Sequence, residues 1–322
     1  MPTVTGTVDA ALEATVVLSF SRVGYAVRSR LSRWCPTDQL PGAGRTVVVT
    51  GANSGLGYAT ARALLDAGAR VIVVTRDERK ARATVQRLVD EVGSGAPVDH
   101  AWADLTDLAA VRALGEQLAA REARIDALVH NAGAMFPEPA TTEDGLERTY
   151  QVHVVTPHLL TALLLPTLTA SDPSRVVTVT SGGMYAEKLD VDRLGSLDGY
   201  RPTTAYARAK RAQVELTSLW QQRTDGAVDF HVVHPGWVLT PGVASSLPGF
   251  RKVMGPLLRS PAEGADSIVW AALSDEIEPG GQLWHDRTPR NQHKLPWTRT
   301  APGDPDRLWT RVSRDAGIDV TT

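Results

Sequence analysis

Tyr206 and Lys210 stand four residues apart in a stretch with a helical pattern, Tyr206-Ala207-Arg208-Ala209-Lys210. Residues at this spacing share one helix face, so the lysine ammonium is expected beside the tyrosine hydroxyl. A phenol titrates near pH ~10 in water, and a neighbouring cation favours its ionised form and lowers its pKa. The pair therefore predicts a general acid/base that exchanges a proton with a substrate oxygen. The alternative interpretation is a pair of surface neighbours without a chemical role.

Ser181 follows an apolar run at 175–180 that is predicted to be a strand. A hydroxyl at a strand end can donate a hydrogen bond to a substrate oxygen and hold it for proton transfer. Ser181 is therefore predicted to act together with Tyr206 and Lys210.

A glycine-rich turn, Thr50-Gly51-Ala52-Asn53-Ser54-Gly55-Leu56-Gly57, comes directly after the predicted strand 46–50. Glycines at 51, 55 and 57 let the backbone turn tightly and approach a pyrophosphate without a Cβ in the way. The helix that begins there offers free N–H groups and the positive end of its dipole to an anion. This pattern predicts a dinucleotide-binding turn; the alternative is a glycine-rich turn without a ligand.

Arg76 and Asp77 follow the second predicted strand, 71–75. In dinucleotide-binding folds a carboxylate at this strand end holds the ribose hydroxyls, whereas an arginine accommodates a 2′-phosphate. Arg76 comes first and its guanidinium can bind a phosphate with two hydrogen bonds. The sequence therefore predicts NADP(H), with NAD(H) as the alternative that Asp77 leaves open.

Short apolar runs alternate along the chain with longer helical patterns. The other predicted strands cover residues 98–103, 125–129, 229–233 and 281–284, and predicted helices cover 55–67, 77–92, 108–121, 146–170 and 203–222. Ser260-Pro261-Ala262-Glu263 has the pattern of a capping box that opens one more helix. Strict alternation of strand and helix predicts an α/β protein with a Rossmann-type, doubly wound parallel sheet in a single domain.

Three segments are predicted: a helical N-terminal extension at 1–43, the Rossmann domain at 44–290 and a C-terminal tail at 291–322. Apolar residues recur at helical spacing in the extension and indicate an amphipathic helix: Leu12, Val16, Phe20, Val23, Val27 and Leu31. The second half of this helix is basic, which suits peripheral contact with a membrane surface. A helix packed on the main domain is the preferred alternative.

Composition narrows the possible partners and compartment. The formal net charge of −2 gives no overall field to attract nucleic acid, and the short basic run 287–294 is interpreted as a solvated loop. Cys35 is the only cysteine, which suits a reducing compartment. The sequence has neither an apolar run of 18 residues nor a basic, apolar secretion signal at its N-terminus. A cytoplasmic protein is therefore expected, with association at the membrane periphery as an alternative.

The order of these motifs resembles the short-chain dehydrogenase/reductase superfamily over residues from about 45 to 290. The motifs that carry it are Thr50-Gly51-x3-Gly55-x-Gly57, Asp104-Leu105, Asn131-Ala132-Gly133, Ser181, Tyr206-x3-Lys210 and Pro235-Gly236. A narrower resemblance to one branch of this superfamily rests on Ser181-Gly182-Gly183-Met184, His234-Pro235-Gly236-Trp237 and Thr240-Pro241-Gly242-Val243. The resemblance implies an oxidoreductase that transfers a hydride between a nicotinamide cofactor and a carbonyl or alcohol carbon.

The resemblance also implies roles for matching residues. Asp104 and Leu105 would contact the adenine, although Asp104 alone reads as a helix cap. The segment 235–240 would meet the nicotinamide carboxamide through the Val238 backbone and the Thr240 hydroxyl. No metal is expected. The predicted cofactor-binding set is Gly51, Asn53, Ser54, Gly55, Leu56, Gly57, Arg76, Asp104, Leu105, Asn131, Ala132, Gly133, Tyr206, Lys210, Pro235, Gly236, Val238 and Thr240.

One position departs from the family pattern. His153 stands where the superfamily usually has an asparagine that anchors a water linking the lysine to solvent. We count it with Ser181, Tyr206 and Lys210 as a predicted catalytic residue, because histidine can also serve a proton relay. Alternatively, it is only a helix histidine that faces the cleft. The departure also motivates a second function, a dinucleotide-binding regulatory or scaffold protein with little catalytic activity.

The substrate is expected to be a hydrophobic carbonyl or alcohol compound. Stretches 184–204 and 241–259 flank the predicted cleft and would form its walls and lid. Their apolar side chains, with core packing or a dimer contact as alternatives, are Met184, Tyr185, Trp237, Leu247 and Phe250. The family resemblance also allows a homodimer through the helices near 146–170 and 203–222, unless extra segments block that surface.

Overall fold

An eight-stranded sheet runs through the protein, for which the computed structural model describes residues 4–240, 248–278 and 280–319. Its strands are β1 (Thr46–Thr50), β2 (Arg70–Thr75), β3 (Val98–Trp102), β4 (Ala127–His130), β5 (Arg175–Val179), β6 (Asp229–Val233), β7 (Leu283–His285) and β8 (Thr288–Arg290). They lie in the order β3-β2-β1-β4-β5-β6-β7-β8, with the first seven parallel and β8 antiparallel to β7. The predicted Rossmann-type α/β domain is confirmed.

Valine-rich central strands explain why the sheet is buried on both faces. Val47, Val48 and Val49 of β1 are all fully buried, as expected for a parallel strand with helices on both sides. This strand pairs with β2 on one side and with β4 on the other, so the chain order reverses at β1. Such a reversal opens a crevice beyond the carboxyl ends of the strands, where ligands bind.

Helices flank the sheet close to the predicted positions. In chain order they are α1 (Val4–Glu13), α2 (Val16–Phe20), α3 (Arg22–Leu31), α4 (Gly55–Asp66), α5 (Glu78–Val92), α6 (Leu108–Arg121), α7 (Arg148–Tyr150), α8 (Thr156–Thr169), α9 (Pro202–Arg223), α10 (Pro248–Met254), α11 (Pro261–Leu273) and α12 (Asp304–Ala316). The capping box before α11 is present, because Ser260 and Glu263 exchange both hydrogen bonds. Asp107, not Asp104, caps α6.

A π-helix, Gln151–Val155, joins α7 to α8 and places an irregular turn at His153. The whole stretch Arg148–Thr169 is the one helix among the described residues that is long and apolar enough to cross a membrane. Its most apolar window is 67% buried within the protein. Leu159, Leu160 and Leu164 of α8 belong to the core, which accounts for its apolar composition.

The N-terminal extension folds as three short helices, so the prediction of one amphipathic helix is wrong. The backbone is extended at Thr15 and Ser21, and the Ser21 hydroxyl caps α3 by accepting a backbone N–H. Phe20 turns into the protein and is buried, whereas Val16 and Leu31 of the predicted apolar stripe are exposed. The extension packs on the main domain, as in the preferred alternative.

The interpretation of residues 287–294 as a solvated loop is wrong. Arg290 donates to both carboxylate oxygens of Asp9 at 2.6 and 2.8 Å, and Lys294 Nζ lies 2.5 Å from Glu13. The acids of α1 hold this basic run although they lie at the opposite end of the sequence. A local pattern could not reveal such a partner.

The C-terminal segment 291–322 carries α12, whose Leu308 and Trp309 are buried in the core. The Trp309 ring lies 4.9 Å from Trp220 of α9 and 4.8 Å from His158 of α8. Helix α12 therefore covers part of the α8–α9 surface that the family resemblance assigns to homodimers.

Candidate active site

A cleft of about 460 Å³ opens at the carboxyl ends of the parallel strands, beside the reversal at β1. Every residue of the predicted cofactor-binding set lines it, and Ser181 does so as well. His153 lies behind the cleft wall, with its ring 5.3 Å from that of Tyr206. Sequence reasoning missed other lining residues, among them Lys80, Ala134, Phe136 and Val152.

The glycine-rich turn at 50–57, called the phosphate turn below, is shaped for close approach of a ligand to the backbone. A Cβ at Gly57 would lie 2.3 Å from Nδ2 of Asn131 and 2.4 Å from the carbonyl oxygen of Gly51, so only glycine lets this turn close. Ser54 occupies the N-cap position of α4, but its side chain makes no capping hydrogen bond. The first N–H groups of α4 are thus not capped by Ser54, at the helix end that favours anions. The cradle fits a pyrophosphate.

Asn131 ties the ends of β1 and β4 together beneath this turn. Its Nδ2 donates to the Thr50 carbonyl at 2.9 Å, and its backbone N–H donates to the Thr50 hydroxyl at 3.1 Å. The N–H of Ala132 donates to the same hydroxyl. The Asn-Ala-Gly segment is therefore the rigid floor on which the phosphate turn rests.

Arg76 and Asp77 make different contacts. The Asp77 carboxylate caps α5 by accepting the Lys80 N–H at 2.9 Å, and Lys80 Nζ lies 3.3 Å from it. Arg76 is 72% exposed and its Nε lies 3.2 Å from Asp104, across the mouth of the cleft. Asp77 thus caps its own helix, while Arg76 and Lys80 place two cationic side chains in the cleft lining just beyond the end of β2.

Tyr206 lies on α9 between Ser181 and Lys210. The Ser181 side chain lies close enough to the Tyr206 hydroxyl to affect its pKa. Lys210 Nζ donates to the Val179 carbonyl at 2.8 Å and lies 5.4 Å from the centre of the Tyr206 ring. The Thr180 hydroxyl donates to the Lys210 carbonyl and holds α9 against the end of β5. The structure thus brings together the three side chains that the sequence grouped.

Burial shifts the pKa values of these groups in opposite directions. Desolvation raises the pKa of Tyr206, and the hydrogen bond with Ser181 opposes that rise only in part. Desolvation lowers the pKa of Lys210 to about 7. In the protein alone, burial therefore decides the direction, and the pKa of Tyr206 is raised where the sequence predicts that the lysine lowers it. Tyr206 is a protonated acid at neutral pH, and Lys210 changes charge near neutrality.

His153 is a neutral, fully buried side chain. Burial, followed by the Lys210 charge, lowers its pKa to about 3. Its Nε2 lies 2.9 Å from the Ala134 carbonyl oxygen, and its ring meets the Tyr206 ring edge-on at 88°. Its own backbone carbonyl accepts a hydrogen bond from Gln213 at 2.8 Å. His153 contacts both the cleft floor and the tyrosine ring.

The predicted apolar wall differs from the one observed. Met184 and Tyr185 are buried in the core beside Phe20 and are not part of the cleft lining, so the core-packing alternative holds for them. The reason is the 3-10 turn Gly182–Tyr185, which directs both away from the cleft. Leu247, the side chain of Phe250 and residues 241–247 of the predicted lid lie outside the described residues.

Comparison with known proteins gives one consistent family. The profile described as short chain dehydrogenase matches residues 45–249. The protein named dehydrogenase/reductase SDR family member 12 of Bos taurus is 36% identical over 310 residues, which cover 93% of this chain and 95% of that protein. The narrower branch that the sequence predicts is the one to which this relative belongs. Retinol dehydrogenase 14 of Mus musculus is also 36% identical and covers 73% of this chain and 75% of its own length.

Solved structures agree with this comparison. An uncharacterised protein from Mycobacterium paratuberculosis is 29% identical and superposes with a TM-score of 0.68, over 89% of this chain and 98% of its own. A structure from Beutenbergia cavernae, assigned as an NAD(P)-dependent gluconate 5-dehydrogenase and holding NADP at low occupancy, is 27% identical with a TM-score of 0.63. It covers 78% of this chain and 97% of its own.

Proposed function

The chain belongs to the short-chain dehydrogenase/reductase family, and on this premise we propose that it is an NADP(H)-dependent enzyme for a hydrophobic carbonyl or alcohol compound. Members of this family are oxidoreductases that act on alcohol and carbonyl groups, as the retinol dehydrogenase among the relatives illustrates. One observation carries the proposal for this chain: Tyr206 stands between Ser181 and Lys210 in the cleft that the phosphate turn opens.

Each residue of the trio has a separate task in the mechanism. When bound, the cofactor would supply or accept the hydride at the substrate carbon. The Ser181 hydroxyl donates a hydrogen bond to the substrate oxygen and holds it beside Tyr206. During reduction, the Tyr206 hydroxyl gives its proton to that oxygen, and Lys210 stabilises the resulting phenolate. In the oxidative direction the same phenolate takes the proton back.

His153 acts in this proposal as a positioning residue. A side chain with a pKa of about 3 remains neutral at physiological pH and is a poor proton carrier. Its contacts with the Tyr206 ring and the Ala134 backbone instead fix the distance between the tyrosine and the cleft floor. This favours an enzyme with a modified support for Tyr206 over a scaffold that has lost its chemistry.

The proposed substrate class rests on the cleft and on the relatives. Phe136 and Val152 belong to the cleft lining and would give the substrate an apolar surface. A polyprenol dehydrogenase of Mus musculus is 36% identical over 269 residues, so lipid-like alcohols occur in this neighbourhood of the family. A cofactor-coupled screen of aldehydes, ketones and alcohols, run with NADPH and NADH side by side, tests the proposal. Binding of NADPH without turnover of any compound would favour the regulatory alternative.

The Arg76→Ala variant is expected to separate the two cofactors. Removing a charged hydrogen-bonding group from the 2′-phosphate should raise the KM for NADPH by about 10–100-fold. The KM for NADH should hardly change, because its ribose carries no phosphate. Arg79→Ala is the matched control, since Arg79 is an exposed arginine three residues further on, in the first turn of α5, and lies outside the cleft lining. Equal losses with both cofactors would contradict the assignment of Arg76.

We also propose that the extension touches an anionic membrane surface. Val16, Val17 and Leu18 are consecutive, and each is 42 to 47% exposed on α2. Three of the four arginines between positions 14 and 37 are exposed, namely Arg22, Arg30 and Arg33, and this stretch has no acidic residue. Apolar side chains beside cations suit the boundary of an anionic bilayer. The protein would then be cytoplasmic with peripheral membrane association.

Flotation with vesicles tests this surface without deleting the extension. Replacing Val16, Val17 and Leu18 together with serine should weaken binding to phosphatidylcholine/phosphatidylglycerol vesicles by about tenfold or more, because the lost side chains no longer insert. Leu197→Ser and Trp297→Ser, at exposed apolar positions elsewhere, are the controls. Unchanged flotation of the triple variant, or its loss of self-association instead, would contradict a lipid partner.

Because α12 covers part of the α8–α9 surface, we propose that any homodimer uses another face.

A further inference from the structure

The N-terminal extension packs behind the cleft at Phe20. The Phe20 carbonyl accepts the backbone N–H of Trp237 at 2.8 Å. Its ring lies 4.3 Å from the His234 ring and meets Trp237 edge-on at 5.8 Å. A Cβ at Gly182 would come within 3.1 Å of the Phe20 ring, so the turn after Ser181 also rests on it. Phe20 therefore supports two walls of the cleft from behind.

Arg259 also holds the segment 235–239. Its backbone N–H donates to the Trp237 carbonyl at 2.7 Å, and its carbonyl accepts the Leu239 N–H at 2.8 Å. Its guanidinium reaches the Pro235 carbonyl and fills the space beside Gly236, where a Cβ would lie 2.4 Å from Nε. Gly236 also has a φ of +79°, which favours glycine.

A buried ionic network joins the extension to Arg259. The Asp286 carboxylate accepts from Arg259 at 2.5 and 2.8 Å and from Arg28 at 2.8 Å, and all three side chains are at most 3% exposed. Both guanidiniums also donate to the Ser19 carbonyl, at 3.0 and 3.1 Å. Buried charges in such a network are stable only while all partners are in place. The backbone at Ser19 and Phe20 is thus fixed relative to 235–239.

We infer that residues 19–28 of the extension are a positioning element of the active site. They hold segment 235–240, and through it the nicotinamide end of the cofactor, at the distance from Ser181 and Tyr206 that hydride transfer needs. This inference rests on the proposed function. In this inference the extension supports catalysis in addition to any contact with a membrane.

The Phe20→Ala variant tests this with two ligands. NADPH would span the whole cleft, whereas 2′-phospho-ADP-ribose has every part of NADPH except the nicotinamide ring. We expect kcat to fall about 10–100-fold, as a misplacement of reacting groups by about 1 Å would cause. The Kd for 2′-phospho-ADP-ribose should stay within about twofold of wild type. Leu31→Ala, at an exposed position of the same extension, is the matched control and should behave as wild type.

Hydrogen exchange gives a second, ligand-independent measurement. In Phe20→Leu, which keeps most of the buried volume, the amides of residues 234 and 236–239 should exchange faster than in the Leu31→Ala control, while those of the phosphate turn should not. Unchanged exchange there, an unchanged kcat, or equal losses of affinity for both ligands would overturn the inference. Wild-type protein that binds neither ligand would overturn the proposed function instead, and the exchange comparison would still decide this inference.

Discussion

The Tyr206→Phe variant is expected to lose carbonyl reduction almost completely, with kcat/KM about 1,000-fold below wild type. The substitution removes one oxygen, and with it the proton that the substrate oxygen receives. The ring, its contact with His153 and the helix around it remain, so the fold should be unchanged. The cofactor-coupled assay measures kcat/KM, and fluorescence titration measures the affinity for NADPH.

The control for Tyr206→Phe is the cofactor affinity. We expect NADPH to bind within about threefold of wild type, because the phosphate turn and Arg76 lie at the other end of the cleft. The kcat/KM of Ser181→Ala should lie between those of wild type and Tyr206→Phe, since the Ser181 hydroxyl holds the substrate but does not supply the proton. Turnover retained in Tyr206→Phe would remove this residue from the mechanism.

The Lys210→Met variant is expected to be inactive and, below neutral pH, more stable than wild type. The ammonium is buried, and burial lowers its pKa from 10.5 to about 7. Keeping it charged in the folded state costs on the order of 3–5 kcal/mol below pH ~7. Methionine removes that cost but leaves the Val179 carbonyl without its donor, a loss of about 1–3 kcal/mol. We expect a net gain of about 2 kcal/mol in the free energy of unfolding near pH ~6.

The sign of the pH dependence follows from the same shift. Between pH ~7 and pH ~10 the unfolded chain binds this proton and the folded protein does not, so wild-type stability rises with pH in that window. The advantage of Lys210→Met should therefore shrink as the pH rises from 7 to 10. Urea unfolding at several pH values measures it, with Lys188→Met as an exposed control. An advantage that does not vary with pH would contradict a depressed lysine pKa.

Much of this site could be predicted because its parts are local in sequence. The Tyr206–Lys210 pair needs only the four-residue repeat of a helix, and the phosphate turn needs only a strand, three glycines and a helix start. The capping box at Ser260 is equally local. Such patterns follow from local backbone geometry, and the structure has each of these elements where the sequence predicts it.

Predictions failed where burial or a distant partner decided the outcome. The sequence predicts that Met184 lines the cleft, but a 3-10 turn buries its side chain behind the cleft. The apolar stripe of the extension predicts one continuous helix, yet the helix is interrupted at Ser21, and Phe20 packs on His234. In both cases tertiary contacts outweighed a helical or surface pattern.

The sequence by itself determined the doubly wound sheet, the phosphate turn and the pairing of Tyr206 with Lys210, since each follows from short-range periodicity. The tertiary structure alone decided the electrostatics of that pair and the packing of the extension on the main domain. The pKa of Lys210 falls because the folded protein removes water from it. The Arg28–Asp286–Arg259 network joins residues far apart in the chain, and only folding brings such charges together where water cannot replace a missing partner.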